Sequence, residues 1–321
     1  MGRGARTALV TGGAGFIGSH LADRLVDDGW RVRVLDDFSS GRAANLAGSE
    51  ATLELLRGDL RDAALLRRAV AGVEVVFHQA AVPSVPRSIA EPERTHDVNV
   101  NGTLRLLEVA RHAGVRRVVF AASSSAYGDT PELPKVETMP ANPLSPYALQ
   151  KYAGEQYCRL YTNLYGLETV SLRYFNVFGP RQNPESEYAA VIPKFVTACL
   201  LGRPPRVHGD GEQTRDFTYV RDVVRANLLA ADSDQAVGTV VNVAGGRRMS
   251  LNQLLRHIVE LTGAEVEAEY APPRPGDVRD SLADLGRARE LLGYRPSVDV
   301  REGLLETVDH LRKSLEGAAP A

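Results

Sequence analysis

The sequence predicts an α/β protein, with a doubly wound parallel sheet and a smaller C-terminal lobe that binds substrate. Three observations carry this expectation. Apolar runs of strand length alternate with helix-spaced segments along residues 7–180. Glycines 12, 15 and 18 mark the first strand-to-helix junction. After Pro180 the alternation loosens, and prolines, glycines and charged turns gather in RQNPESEY, GRPPRVHGDGEQTRDF and APPRPGDVRD.

The elements follow in order. Residues 7–10 form an apolar strand ending at glycines, 16–26 a helix, and 31–35 a strand ending in Asp36. Residues 53–60 read as a third strand running through Asp59, 62–71 as a helix, and 73–81 as a fourth strand with small residues at its end. A long helix over 97–114 stops at Gly114, and 115–128 read as a fifth strand. A loop then leads to a helix carrying Tyr147 and Lys151, which ends at about residue 165 before Gly166. Residues 168–180 form the next strand. The expected division is a dinucleotide domain over 1–180 and a substrate lobe over 181–321. The run GTVVNVAG at 238–245 returns to the main sheet, so the two interleave.

Composition narrows the function. The chain has 321 residues, 44% hydrophobic and 24% charged, as ordinary globular proteins have. Its net charge of −2 offers no basic footprint for nucleic acid. No apolar stretch approaches the roughly 18 residues of a membrane helix. The opening MGRGART leads straight into a strand rather than a secretory apolar region. Cys158 and Cys199 lie in periodic apolar contexts that suit buried thiols and a reducing compartment. A cytoplasmic protein is expected. The seven histidines show no ligand spacing, so no metal site is expected.

TALVTGGAGFIGSHLADRLVDDGWRVRVLDD has the order strand, glycine turn, helix, strand. Its G-x-x-G-x-x-G permits a tight turn, close backbone approach and close helix packing. The helix N-terminus presents free N–H groups and the positive dipole end to a pyrophosphate. Asp36, 18 residues beyond Gly18, suits a ribose diol and repels a 2′-phosphate. A Rossmann-type domain binding NAD rather than NADP follows. A glycine-rich turn without a ligand is the bland alternative, and the terminal acid argues against it.

Within SPYALQK, Tyr147 and Lys151 stand one turn apart on one helix face. Chance alone produces many such pairs. Here, however, the preceding strand ends in Ser123, Ser124 and Ser125, so hydroxyl, phenol and ammonium can converge at the sheet's ligand-binding edge. A phenol with its usual pKa of about 10 is a poor base, and bringing it to about 7 takes about 4 kcal/mol. One positive charge at ~4 Å, in an effective dielectric of about 20, offers about that much. The Lys151 and oxidised nicotinamide charges together are expected to hold the phenolate.

TGGAGFIG resembles the extended branch of the short-chain dehydrogenase/reductase superfamily. NVNGTLRLLEVARHAGVRRVVFAASSSAYGD, PLSPYALQKYAGEQY, LRYFNVFGPRQNP, YAAVIPKF, GDGEQTRDFTYVRDVVRANLLAA and RPGDVRDSLADL are similar to the UDP-sugar 4-epimerase family, most of all its N-acetylhexosamine branch. The resemblance covers about residues 7–305. It implies bound NAD, removal of the sugar 4-OH proton by Tyr147 with hydride transfer from C4, rotation of the 4-keto sugar, and hydride return to the other face. Ser123 hydrogen-bonds the reacting oxygen in this scheme, with Ser124 as the alternative. The carboxylic acids that dehydratases and decarboxylating relatives carry after that serine are replaced by Ser124 and Ser125. The alternatives are an epimerase of a modified or uronic sugar, a dehydratase, a 4-keto reductase, or a dinucleotide-binding sensor without turnover.

The resemblance also implies a cofactor shell of Gly12, Gly15, Phe16, Ile17, Gly18, Asp36, Asp37, Ser40, Gly41, Asp59, Leu60, Gln79, Ala80, Ala81, Asn99, Tyr147, Lys151 and Phe175. The implied substrate shell is Ser84, Val85, Ser123, Ser124, Ser125, Tyr147, Asn176, Ala190, Val191, Lys194, Val207, Arg215, Arg274, Asp277 and Ser281. A small residue at 281 is expected to admit an N-acetyl group. A homodimer through helices at about 97–113 and 146–165 is implied, with Leu104, Leu107, Leu149 and Tyr152 as candidate contacts. Gln150 departs from the serine or threonine usual in the family, and Ala121-Ala122 before the serines is a second departure.

Overall fold

The computed structural model describes residues 5–184, 190–273 and 278–317. The chain runs β1 (Thr7–Thr11), α1 (Phe16–Asp27), β2 (Arg31–Asp36), β3 (Leu53–Arg57), α2 (Ala63–Val70) and β4 (Val75–His78). Two short helices, α3 (Val85–Ala90) and α4 (Pro92–His96), lead through a π-helical turn (Asp97–Gly102) into α5 (Thr103–His112). β5 (Arg117–Ser123), α6 (Pro146–Tyr165), β6 (Glu168–Tyr174) and β7 (Val177–Phe178) follow. Then come α7 (Val191–Leu200), β8 (Arg206–His208), β9 (Thr214–Asp216), β10 (Thr218–Tyr219), α8 (Val220–Asp232) and β11 (Thr239–Val243). β12 (Arg248–Ser250), α9 (Leu251–Thr262), β13 (Glu269–Ala271), α10 (Gly286–Leu292) and α11 (Val300–Glu316) complete it.

Seven parallel strands form the main sheet in the order β11-β6-β5-β4-β1-β2-β3. Strand order reverses between β1 and β4, which opens a crevice at the strands' C-terminal ends. Both faces are buried. On one, Val10, Phe77, Val119 and Val170 pack with Leu21, Leu25 and Val223. On the other, Leu9, Val76, Val118 and Phe120 pack with Leu66, Leu106, Leu107 and Cys158. This double burial explains the near-continuous apolar strands in the sequence. A separate core of Phe178, Ile192, Phe195, Val207, Leu254, Ile258, Leu304 and Val308 holds the lobe.

The strands are shorter than their apolar runs. The 53–60, 73–81, 115–128 and 168–180 strands stop at Arg57, His78, Ser123 and Tyr174, and residues just beyond them, among them Asp59, Gln79, Ser124 and Phe175, line the crevice. The 97–114 segment is not one α-helix. Its first turn is π-helical, and α3 and α4, which begin at Val85-Pro86 and Pro92, precede it. Proline at a first-turn position favours such starts. β11 pairs in parallel with β6, and α8 packs against β5, β6 and α1 although it follows residue 181. Leu107 is fully buried against the sheet and is not available to a partner, whereas Leu149 is 56% exposed. Both cysteines are free and buried.

Candidate active site

The crevice continues between sheet and lobe as one cavity of about 1130 Å³. At one end the glycine loop is its floor. Gly12 has φ +69°, and a Cβ there would lie 2.7 Å from the Ala80 nitrogen. A Cβ on Gly18 would lie 2.1 Å from the Gly12 oxygen. Neither position accepts a side chain, and the backbone is left bare to a ligand. α1 starts without a side-chain cap, so its first-turn N–H groups belong to the cavity that Gly15, Phe16, Ile17 and Gly18 line.

Asp36 closes this end at the tip of β2. Its carboxylate accepts from Ala14 N and Phe38 N, each at 2.8 Å. Burial pushes its pKa up, against the pull of those two bonds. One face of the carboxylate is thereby fixed and the rest is turned to the cavity it lines. A bare glycine cradle, an uncapped helix start and an oriented carboxylate fit a dinucleotide pyrophosphate and its adenosine ribose.

The chemistry-bearing groups meet further along. Ser145 caps α6 by accepting from Ala148 N at 3.2 Å, Pro146 opens the helix, and Gly166 at φ +73° ends it. This places Tyr147 and Lys151 on its first turns, beside the end of β5. Lys151 is 4% exposed and its Nζ donates to the Ala121 carbonyl at 2.7 Å. Burial pushes its pKa down to about 8. Tyr147 is half-buried, with its phenol close enough to the Ser123 hydroxyl to feel it. Burial raises the phenol's pKa and the serine hydroxyl lowers it, with burial the stronger. The enclosure that brings phenol and lysine together also penalises the phenolate, which is the opposition that the Lys151 and nicotinamide charges together were expected to overcome.

Ser125 donates to Ser123 through its backbone N–H (3.2 Å) and its hydroxyl (2.8 Å). The Ser123 oxygen is thus an acceptor twice over, and its own proton is directed elsewhere. Ser124 also lines the cavity. At the lobe end, Asn176 donates to Ser281 Oγ at 3.1 Å and to the Asp216 carbonyl at 3.1 Å. Its φ of +35° is a strained conformation that asparagine tolerates better than most residues. Ser281 is 9% exposed and also accepts from Asp216 N.

Among the expected cofactor positions, Gly12, Gly15, Phe16, Ile17, Gly18, Asp36, Asp37, Ser40, Asp59, Leu60, Gln79, Ala80, Ala81, Tyr147, Lys151 and Phe175 line the cavity. So do Ser84, Val85, Ser123, Ser124, Ser125, Asn176, Ala190, Val191, Lys194, Arg215 and Ser281. Three expected positions stand off its wall. Gly41 packs against Ala14 and Asp36, Val207 is buried in the lobe core, and the Asn99 amide is bonded to the Val82 backbone and to Gln150. Arg274 and Asp277 lie outside the described residues. Arg42 and Asn183, whose side chains bond at 2.9 Å, and the buried Lys135 also line the cavity, and none of the three is legible as a site residue in the sequence. Their loops carry no periodicity, and a lysine between turns reads as a surface charge. No cluster of metal-binding side chains occurs among the described residues, and no helix among them is long and apolar enough to cross a membrane.

Comparison with known proteins agrees with this geometry. Residues 8–244 match the NAD dependent epimerase/dehydratase family. A UDP-glucose 4-epimerase of Mycolicibacterium smegmatis is 47% identical over 308 residues, 95% of this chain and 98% of the relative. The crystal structure of a Thermotoga maritima UDP-glucose 4-epimerase with UDP-glucose superposes with a TM-score of 0.92 at 42% identity, covering 96% of this chain and 99% of the other. A UDP-N-acetylglucosamine 4-epimerase of Methanobrevibacter ruminantium, in complex with UDP-N-acetylmuramic acid, gives 0.93 at 41% identity, covering 97% and 100%. The chain belongs to the NAD-dependent epimerase/dehydratase family, as an extended short-chain dehydrogenase/reductase of the UDP-sugar 4-epimerase type with NAD as its cofactor.

Proposed function

We propose that the enzyme inverts C4 of UDP-GlcNAc and UDP-GalNAc, and accepts UDP-glucose and UDP-galactose as smaller substrates of the same class. The observation that carries this reading is the convergence of Ser123, the Tyr147 phenol and, one helical turn on, the buried Lys151 ammonium on one cavity wall. The small Ser281 on the cavity wall supports admission of an acetyl group.

The residues divide the work. Tyr147 takes the sugar 4-OH proton and later returns it to the same oxygen. Lys151 supplies the fixed positive charge that favours the phenolate. Ser123, already accepting from Ser125, donates its proton to the reacting oxygen and is preferred over Ser124 for that reason. NAD, when bound, accepts hydride from C4 and gives it back to the opposite face. Its positive ring adds the charge that Lys151 alone does not provide against burial. Asn176, Lys194 and Arg215, with the wall of Ser84, Val85, Ala190 and Val191, hold the nucleotide sugar.

The absence of a carboxylic acid at 124 and 125 supports inversion over water elimination. Two copies pair through α5 and α6, and the exposed Leu149, Leu160 and Leu164 of α6 support this. The two free buried cysteines suit the reducing cytoplasm. The deciding experiment incubates the purified protein with a panel of UDP- and TDP-sugars and separates the C4 epimers by chromatography. Interconversion of UDP-GlcNAc and UDP-GalNAc is expected. Inversion of UDP-glucose or a uronic sugar alone overturns the substrate assignment.

A further inference from the structure

We infer that Gln150 is a positioning residue, which fixes the start of α6, and with it Tyr147, against the loop that walls the cofactor end of the cavity. The inference rests on the reading of Tyr147 as the base. Gln150 stands three residues after Tyr147 and one before Lys151, and is 3% exposed. A buried primary amide has two donors and an acceptor to satisfy, and each group left unmade is costly. Here they are used across the gap between two elements.

Gln150 Oε1 accepts from Asn99 Nδ2 at 2.9 Å, and Gln150 Nε2 donates to Thr95 Oγ1 at 3.0 Å. The orientation of both amides follows from the surrounding bonds. Val82 N donates to Asn99 Oδ1 at 2.8 Å, so the Asn99 nitrogen faces Gln150 and requires its oxygen there. Thr95 donates its own proton to the Pro92 carbonyl at 3.1 Å, which leaves its oxygen to receive the Gln150 N–H. Val82 follows Ala80 and Ala81 and precedes Ser84 and Val85 on the cavity wall. One side chain thus ties α6 to the cofactor loop through Asn99 and to α4 through Thr95.

A second bond joins the same bodies, because Tyr147 N donates to Ser88 Oγ of α3 at 3.0 Å. One attachment is at the backbone of Tyr147 itself and the other is three residues on. With Ser88 alone, the first turns of α6 can pivot against the wall. Misplacement of reacting groups by about 1 Å can cost about 10²-fold in rate. The loss falls on turnover more than on affinity, since Gln150 does not line the cavity.

The test measures kcat and KM per bound dinucleotide for Gln150→Leu, Thr95→Val, the double variant and Tyr147→Phe, using the UDP-sugar that the wild type turns over best. Gln150→Leu is expected to lower kcat about tenfold with KM within about twofold. Thr95→Val, which leaves α6 untouched, is expected to lower kcat less. The double variant is expected to be no worse than Gln150→Leu, because both substitutions cut one connection. A merely structural role lowers melting temperature and active fraction but leaves kcat per bound dinucleotide unchanged, and that result overturns the inference. Independent, multiplying effects of the two substitutions also overturn it. If Tyr147→Phe keeps its turnover, the base assignment itself fails, and so does a role for Gln150 in placing that base.

Discussion

The Lys151 ammonium donates to the Ala121 carbonyl at 2.7 Å, and this contact anchors α6 to the end of β5 beside the cavity. The bond orients the charge but does not offset its burial, which pushes the lysine's pKa from 10.5 to about 8. Between those values the unfolded chain binds more protons than the folded one. Unfolding free energy therefore rises with pH from about 8 to 10.5, and the full penalty is present below about 8. The ceiling is about 3 kcal/mol. In protein stripped of dinucleotide, urea midpoints at pH 7.5 and 9.5 should rise more for wild type than for Lys151→Met. Parallel changes in the two proteins contradict a depressed lysine. The raised phenol of Tyr147 acts in the opposite sense only above about 10, outside this window.

Tyr147→Phe removes the oxygen proposed to accept the proton while keeping the ring. General-base groups contribute about 10²–10⁴-fold, so kcat should fall by that range, with dinucleotide content unchanged. Ser123→Ala should cost less, about tenfold to 10²-fold, because it removes a donor rather than the base. Ser124→Ala should stay near wild type. Equal losses for the two serines would contradict the hydrogen-bond pattern, in which Ser125 serves Ser123 specifically.

At Gly18 the smallest possible side chain already collides with the Gly12 carbonyl. Gly18→Ala should therefore lose bound dinucleotide, read as a fall in absorbance at 260 nm relative to 280 nm and in released NAD. Retention of wild-type NAD would show that the loop opens without cost. Gly29→Ala is the matched control for a strained glycine. Its φ of +79° makes alanine unfavourable, but nothing lies within 4 Å of a Cβ and it sits past the opposite end of α1 from the loop. It should cost stability and leave dinucleotide content alone.

How much of this was legible in the sequence depends on the kind of order involved. The βαβ unit around Gly12, Gly15, Gly18 and Asp36 is local, and spacing alone places its parts. Tyr147 and Lys151 are legible for the same reason, since helical period relates them. The Ser281–Asn176 bond joins residues 105 apart, and no local pattern reports it. Asn99 shows the opposite limit. Its position next to the cofactor loop was readable, but its amide is consumed by Val82 and Gln150, so proximity did not become contact. The helices after residue 181, α7, α8, α9 and α11, are not read from the sequence because proline and glycine turns between them dominate its pattern, although α9 carries a full capping box of Ser250 and Gln253. The π-helical turn at Asp97–Gly102 was beyond reach, because its residues have the same apolar spacing as an α-helix.

The substrate assignment turns on Ser281. Its hydroxyl accepts from the Asn176 amide and from Asp216 N, so it is both a small wall residue and an acceptor for two donors. Ser281→Tyr adds bulk and removes that acceptor from its place, and the two effects must be separated. Ser281→Ala removes the acceptor alone. An unsatisfied donor at this depth costs about 1–3 kcal/mol, a loss expected to fall alike on all substrates. If the pocket admits an acetyl group because residue 281 is small, Ser281→Tyr should depress kcat/KM for UDP-GlcNAc at least tenfold more than for UDP-glucose, while Ser281→Ala leaves their ratio unchanged. A tyrosine variant that lowers both substrates equally contradicts the size argument. An alanine variant that changes the ratio shows instead that the hydroxyl itself, through Asn176, distinguishes the sugars.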